Sequence, residues 1–348
     1  MTKIAVIPGD GIGVDVTQEA MKVLKVVDES HRLGIELEEL DYGADRFLRD
    51  GTTLPPGEID RFRREFDAIF LGALGDPRVP DMRHGREILL AMRFELDLFI
   101  NLRPVRCVAD YLCPLKNKTA ADINFTVFRE NTEGLYVGIG GVFKQGTPDE
   151  VAINEDVNTR KGVERIIRAA FEYARDNGHE RVTMADKSNA VRFAHDIWLR
   201  VFELVGEEYA DIEKQHLYVD ALIMQMVKRP EQFEVIVTNN MFGDIVTDLG
   251  AQLQGGLGMA ASGNIHPGRV SLFEPVHGSA PKYAGKNVAN PIAAILSVEM
   301  MLDYLGFKEA AASVGKAVKT AIDERQVPAE VGGDLGTREV GDFIASAV

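Results

Sequence analysis

Asp244 and Asp248 stand four residues apart in EVIVTNNMFGDIVTDLG, a stretch whose two halves have different periods. Val235, Ile236 and Val237 form a β-branched run suited to a buried strand; Thr238, Asn239 and Asn240 break it, and helical spacing follows. On that helix both carboxylates share one face, one turn apart, while Ile245 and Leu249 point elsewhere. Like charges so placed repel unless a cation lies between them. Oxygen ligands alone suit a hard divalent ion, Mg2+ or Mn2+, and the stretch is too poor in Cys and His for zinc. A solvated face with two ordinary acids is the commoner outcome for an isolated pair. Here the pair follows a strand in α/β fashion, at the kind of strand end where ligands collect, and Gly255, Gly256 and Gly258 let backbone pass close to a neighbour.

Further groups could complete such a site. Arg93 and Arg103 flank a helix that runs into a strand ending at Arg103 and Pro104, and Arg129 closes another strand, FTVFRENTEG. Guanidinium groups at strand ends suit bidentate grips on carboxylates, although each alone reads equally as a surface arginine. Lys187 ends the strand at 182–185, a position open to catalysis or to simple solvation. Asp220 lies between the apolar LYV and ALIMQMV, the second read as a buried helix, and an acid there is costly unless paired. Tyr136, in GLYVGIGG, is a packing ring or a proton donor. On helix 194–205, Trp198 reads as core and His195 as structural or exposed.

The elements that must position these groups alternate strand with helix. KIAVI, then PGDGIG, then a helix through Val16, Ala20, Val23 and Leu24 opens the chain; strands at 35–40 and 68–71 follow. The alternation implies a largely parallel sheet covered on both faces. The glycines of the first turn give GxGxG, not the dinucleotide-binding GxGxxG, so the turn is read as structural or ligand-proximal, without a Rossmann assignment. Residues 140–159 lack core periodicity and read as an extended arm of the kind that meets a symmetry mate. Asn290-Pro291 precedes a long apolar helix at 292–305, and the closing segment is helical with a glycine-rich break.

At 348 residues the chain is long for a single core, so two domains are expected. A formal net charge of -15 excludes the basic footprint of non-specific nucleic-acid binding. An anionic substrate therefore needs arginines concentrated locally. Cys107 and Cys113 offer no disulfide framework, no apolar run approaches a membrane span and no signal pattern is present, which leads to a cytoplasmic expectation.

IPGDGIG, RFELDLFINLRPVR, RENTEGLYVG, ADKSNAV, YVDALIMQ, TNNMFGDIVTDLG and EPVHGSAPKYAGK with ANP beyond it occur in this order over almost the whole chain. Together they resemble the β-decarboxylating dehydrogenases, the group of 3-isopropylmalate, isocitrate, homoisocitrate and tartrate dehydrogenases. The resemblance implies that group's two-domain α/β fold, a mostly parallel sheet flanked by helices and not a Rossmann fold. Residues 1–100 and 252–348 would form the first domain with the coenzyme loops. Residues 101–251 would form the second, with substrate and metal residues, the dimer interface and the arm. It also implies a homodimer with shared sites, Asp244 and Asp248 from one subunit meeting Lys187 and Asp220 from the other.

Carried over by residue, Asp220, Asp244 and Asp248 resemble carboxylates for Mg2+ or Mn2+, and Arg93, Arg103 and Arg129 resemble the substrate grips. Lys187, helped by Asp220, resembles the base that takes the hydroxyl proton, and Tyr136 the acid that protonates the enol. Ile12, the run His277, Gly278, Ser279, Ala280, Pro281, Lys282 and Tyr283, and Asn290 resemble positions that meet NAD or NADP. The implied reaction is metal-dependent oxidative decarboxylation of a 2-hydroxy acid. Leu89 and Leu90, one turn before Arg93, suit a branched aliphatic tail, which favours 3-isopropylmalate, in leucine biosynthesis, over tartrate or D-malate and then isocitrate or homoisocitrate. One position departs from the pattern. NAD-using relatives place an acid directly after HGSAP, whereas Lys282 and Tyr283 here resemble NADP-using isocitrate enzymes. A regulatory subunit of the same fold would be expected to lack one of Tyr136, Lys187, Asp220, Asp244 and Asp248, and all are present.

Overall fold

The structure is a computed structural model describing residues 2–348. The chain opens with β1 (Thr2–Gly9), α1 (Ile12–His31), β2 (Ile35–Glu39), α2 (Ala44–Asp50), α3 (Glu58–Glu65), β3 (Ala68–Ala73), α4 (Arg83–Glu95) and β4 (Ile100–Arg106). It continues through β5 (Asn124–Glu130), β6 (Gly140–Phe143), β7 (Val151–Asn154), α5 (Arg160–Asp176), β8 (Arg181–Asp186), α6 (Arg192–Gly206) and β9 (Glu213–Tyr218). Next come α7 (Val219–Lys228), β10 (Val235–Thr238), α8 (Asn240–Leu253), β11 (Ala261–Ile265) and β12 (Ser271–Pro275), and the chain closes with α9 (Ile292–Tyr304), α10 (Lys308–Asp323) and α11 (Thr337–Ala347).

These elements form two compact units. The first holds the chain up to Leu98, Arg103–Ile123 and Ala251–Val348; the second holds Phe99–Leu102 and Asn124–Gly250. In the first, strand order is β2-β1-β3-β12-β11, parallel except where β11 meets β12. Every residue of β3 is buried, as AIFLGA requires of a strand covered on both faces. Ile7, Ile69, Leu71, Phe62 and Met92 form part of one core cluster against it. α1 buries Val16, Ala20, Val23, Leu24 and Val27 at three- and four-residue spacing. In the second unit β5-β10-β8-β9 run parallel. α5 covers them with Val163, Ile166, Ile167, Ala170 and Phe171.

The structure departs from the sequence reading at several points. Residues 103–123 lie in the first unit, not the second: the Arg106 N–H donates to Gln254 Oε1 at 2.7 Å, and the Tyr111 hydroxyl donates to the Ile322 carbonyl at 3.0 Å. β4 continues to Arg106, so Arg103 is mid-strand; Pro104 removes one N–H without stopping the strand. Residues 140–159 contain an antiparallel hairpin, Gly140 opposite Asn154, whose base is closed by the Gly134 N–H on the Val157 carbonyl at 2.7 Å. α7 is not a buried helix. It buries Val219, Leu222 and Met226 but exposes Met224 and Val227 by 64% and 47%, because only one of its faces meets its own unit.

The first glycine turn is occupied by its own chain. A Cβ on Gly9 would lie 2.0 Å from the Ala73 carbonyl oxygen, and one on Gly11 would lie 2.1 Å from that of Ser279; both residues have positive φ. Asp10 is buried there, accepting from the Ala44 and Gly75 N–H groups at 2.7 Å each and lying 2.8 Å from His84 Nε2. The turn is therefore a packing device between strand ends.

Glu299 on α9 faces the backbone of α10, where a Cβ on Gly315 would sit 2.4 Å from its carboxylate. Burial raises its pKa to about 7, with Arg106 opposing the shift and Asp303 adding to it. Between the ordinary carboxyl value and about 7 the folded state keeps a proton that the unfolded state releases, so stability falls as pH rises through that window. Glu299→Gln removes the charge and is expected to stabilise the fold by about 1–3 kcal/mol above pH 7, with no gain near pH 4. Thermal unfolding across pH 4–8 measures this, and an equal Tm difference at both ends would refute it.

Candidate active site

β10 ends at Thr238, and α8 begins two residues later. The Asn239 side-chain oxygen accepts the Phe242 N–H at 2.9 Å, satisfying one of the free donors that open a helix. Asp244 and Asp248 follow on one face, beyond the first turn of α8, which holds no acid. Asp244 is half-buried and Asp248 exposed.

β5 lies beside β10, with Arg129 in register with Thr238, which brings Arg129 onto this helix start. A Cβ on Gly243 would meet Arg129 Cγ at 2.4 Å, so this glycine is what lets the arginine stem cross α8. Arg129 is 1% exposed. Its Nε and Nη2 donate to Asn240 Oδ1 at 3.1 and 2.8 Å, and its Nη1 pairs with Asp244 Oδ1. The Tyr136 hydroxyl donates to the other oxygen of Asp244 at 3.1 Å, and the guanidinium carbon lies 5.3 Å from the Tyr136 ring centroid. Tyr136 sits in a single 3-10 turn, Leu135–Val137, between Gly134 and Gly138, both with positive φ. Three of the residues singled out from sequence, Arg129, Tyr136 and Asp244, thus form one cluster in the second unit.

Lys187 and Asp220 form a second group in the same unit. β8 delivers Lys187 and the first turn of α7 delivers Asp220, and Lys187 Nζ donates to Asp220 Oδ1 at 2.7 Å. The ammonium holds the Asp220 carboxyl below its usual value. Asp220 is not buried between apolar segments, its side chain being 61% exposed, because it starts a helix rather than ending a covered strand. His195 is 1% exposed: its Nδ1 accepts the Lys187 backbone N–H at 2.9 Å, and its Nε2 lies 3.2 Å from Asp156 of the arm's return leg. Trp198 is core, its indole N–H donating to Asn158. Among the described residues, no three His, Cys, Asp or Glu side chains converge as metal ligands, so Asp220 does not join Asp244 and Asp248 within one chain.

The other sequence candidates lie in the first unit. Arg93 is buried on α4 and donates to Glu274 at 3.1 Å, a carboxylate that also accepts from Asn264 at 2.8 Å. Arg103 is 7% exposed. Leu89 packs on the unit's core and Leu90 is half-buried. The Ile12 N–H donates to the Ser279 carbonyl at 2.7 Å, joining the first turn to the loop after β12. In that loop His277 bonds the Gly278 carbonyl at 3.0 Å, and burial keeps its pKa below the usual imidazole value. Gly278 is exposed, Ser279 is buried, Ala280 is left-handed at φ 34°, and Pro281–Tyr283 is a 3-10 turn. Lys282 Nζ stands 4.6 Å from the Tyr283 ring centroid. Asn290 is 5% exposed and accepts the Ile292 N–H at 3.1 Å, at the start of α9.

The sequence reading assigned no role to Asn240 or Glu274, and of its two readings of His195, structural or exposed, the structure shows the structural one. The first two sit inside quoted motifs, where a polar residue between a buried strand and a helix, or within a buried strand, must find a partner. That rule marks them for a role but does not name the partner.

Residues 3–344 match a family model described as isocitrate/isopropylmalate dehydrogenase. The chain is 47% identical over 348 residues to the 3-isopropylmalate dehydrogenase of Thermobifida fusca, covering 99% of this chain and 97% of that one. It is 46% identical to that of Mycobacterium tuberculosis, over 99% of this chain and 100% of that one. Among solved structures, isocitrate dehydrogenase from Methylococcus capsulatus superposes with a TM-score of 0.89 at 37% identity, over 100% and 99% of the two chains. The TT0538 protein from Thermus thermophilus gives 0.88 at 39%, over 99% of this chain and 68% of that one.

Proposed function

The chain belongs to the isocitrate/isopropylmalate dehydrogenase family, and from that premise we propose that it oxidatively decarboxylates 3-isopropylmalate to 2-oxoisocaproate in leucine biosynthesis. The observation that carries this reading is full-length identity of 46–47% to proteins named 3-isopropylmalate dehydrogenase. Leu89 and Leu90, half-buried one turn before Arg93, supply an apolar wall for the branched tail.

Arg93, Arg103 and Arg129 grip the two substrate carboxylates, which an acidic protein can do only by gathering its guanidinium groups locally. Asp244 and Asp248, with Asp220 of a second copy, hold Mg2+ or Mn2+. The fit rests on an all-oxygen donor set and on Asp244 already accommodating positive charge, the Arg129 guanidinium. When bound, the cation supplies Lewis-acid stabilisation of negative charge on oxygen, and NAD or NADP supplies the hydride acceptor. Lys187 Nζ, in its neutral amine form, takes the substrate hydroxyl proton and becomes the ammonium, with Asp220 holding it in place. Loss of hydride leaves a ketone β to the second carboxylate, whose carbon–carbon bond then breaks to release carbon dioxide. Tyr136 returns a proton to the carbon left behind, its hydroxyl oriented by Asp244.

The shared site implies a homodimer. The apolar side chains that one chain leaves exposed support it: Met224 and Val227 on α7, Met241 and Ile245 on α8, and Val142, Phe143 and Ile153 on the hairpin. No helix among the described residues is long and apolar enough to cross a membrane, and the two cysteines are free, as a reducing cytoplasm favours.

Reduced-nicotinamide absorbance with Mg2+ or Mn2+ tests the reaction on 3-isopropylmalate, tartrate, D-malate, isocitrate and homoisocitrate at equal concentration. Negligible turnover on 3-isopropylmalate would overturn the substrate assignment. Lys282 directly follows HGSAP and would meet a coenzyme 2'-phosphate, so Lys282→Asp is expected to shift the NAD:NADP preference towards NAD by about tenfold or more. An unchanged ratio of kcat/KM values would remove Lys282 from coenzyme selection.

A further inference from the structure

We propose that Asn240 is a positioning residue that aims the Arg129 guanidinium at the substrate, an inference resting on the reading of Arg129 as a carboxylate grip. Both residues are buried, at 2% and 1% exposure. A planar guanidinium has two usable edges and a free end, and its grip depends on which one faces the anion. Asn240 Oδ1 takes the Nε and Nη2 hydrogens together, at 3.1 and 2.8 Å, which leaves Nη1 directed at Asp244.

The amide is itself held in one orientation. Its Nδ2 donates to the Glu133 carbonyl at 3.0 Å, so a flipped amide would set N–H against N–H on one side and oxygen against oxygen on the other. Glu133 in turn ties the loop bearing Tyr136 to the arm, its carboxylate accepting the Thr159 N–H at 2.8 Å. One side chain at the start of α8 therefore sets the guanidinium plane and anchors the Tyr136 loop. An amide also aligns Arg129 without adding charge to its existing pair with Asp244. A carboxylate at position 240 would place a second negative charge on the guanidinium and weaken its pull on a substrate anion.

The test is steady-state kinetics on the intact enzyme with Mg2+, comparing wild type, Asn240→Ala, Arg129→Gln and the double variant. Asn240→Ala is expected to raise KM for 3-isopropylmalate by about tenfold or more while leaving KM for the coenzyme within about twofold. In the Arg129→Gln background the same change is expected to raise it by less than about twofold, because the residue it acts through is already gone. If Asn240→Ala does not fold, Asn240→Asp decides. It keeps an acceptor oxygen, and its charge is expected to raise the same KM. Equal KM increases in both backgrounds, coenzyme KM rising in step with that of the acid, or an Asn240→Asp enzyme with wild-type KM would each overturn the role of Asn240 alone. Absence of wild-type turnover on every hydroxy acid would remove the proposed function, and this role with it.

Discussion

Lys187→Met is expected to lower kcat by about a thousandfold, the range general-base catalysis supplies, while changing KM for the hydroxy acid only a few-fold. The substitution is chosen for its geometry. Methionine keeps a long flexible stem beside the Tyr218 ring, which lies 5.9 Å from Nζ, but cannot take a proton or bond Asp220. Lys187 is held from two sides: its amine by Asp220 at 2.7 Å and its backbone N–H by the buried His195 at 2.9 Å. A lysine held only by exposure would need neither restraint. Loss confined to kcat assigns Lys187 to the chemical step; turnover retained with metal bound would exclude it as the base.

Asp244→Asn is expected to weaken Mn2+ binding by about a hundredfold or more and to lower turnover by about a thousandfold, since a metal contributes several kcal/mol of charge stabilisation. Electron paramagnetic resonance of free Mn2+ reads the first effect without any reaction. The substitution also removes one charge from the Arg129 pair and one acceptor from Tyr136, so the Mn2+ measurement is what separates ligation from positioning. Asp220→Asn should be equally inactive, but for a reason residing in the other subunit. Mixing the two inactive variants under conditions that allow subunit exchange is then expected to restore about a quarter of wild-type activity, because half the dimers are hybrids with one intact site. No recovery, with exchange confirmed, would show that Asp220 and Asp244 do not share a site across the dimer.

Much of the fold is legible in local pattern. The β-branched run at Val235–Val237 is the core of β10, and the helix reading of Asp244 and Asp248 agrees with α8. Such signals depend on burial and backbone geometry over a few residues, which the chain carries locally. The same logic misjudged α7: its apolar composition resembles that of a buried helix, and composition does not say whether both faces are covered by the same unit. It also misplaced residues 103–123, whose partners Gln254 and Ile322 are more than a hundred residues away.

By itself, then, the sequence determined the periods of the elements, the spacing of the two α8 carboxylates and the ordered motifs that mark the family. Only the tertiary structure decided that Arg129 crosses α8 at Gly243, that Asn240 orients it, and that Asp244 receives both Arg129 and Tyr136. The physical reason is that those contacts span roughly a hundred residues and exist because β5 lies beside β10 in the sheet. Strand neighbours are chosen by how the apolar faces of the whole unit close on one another, and no local period encodes that choice.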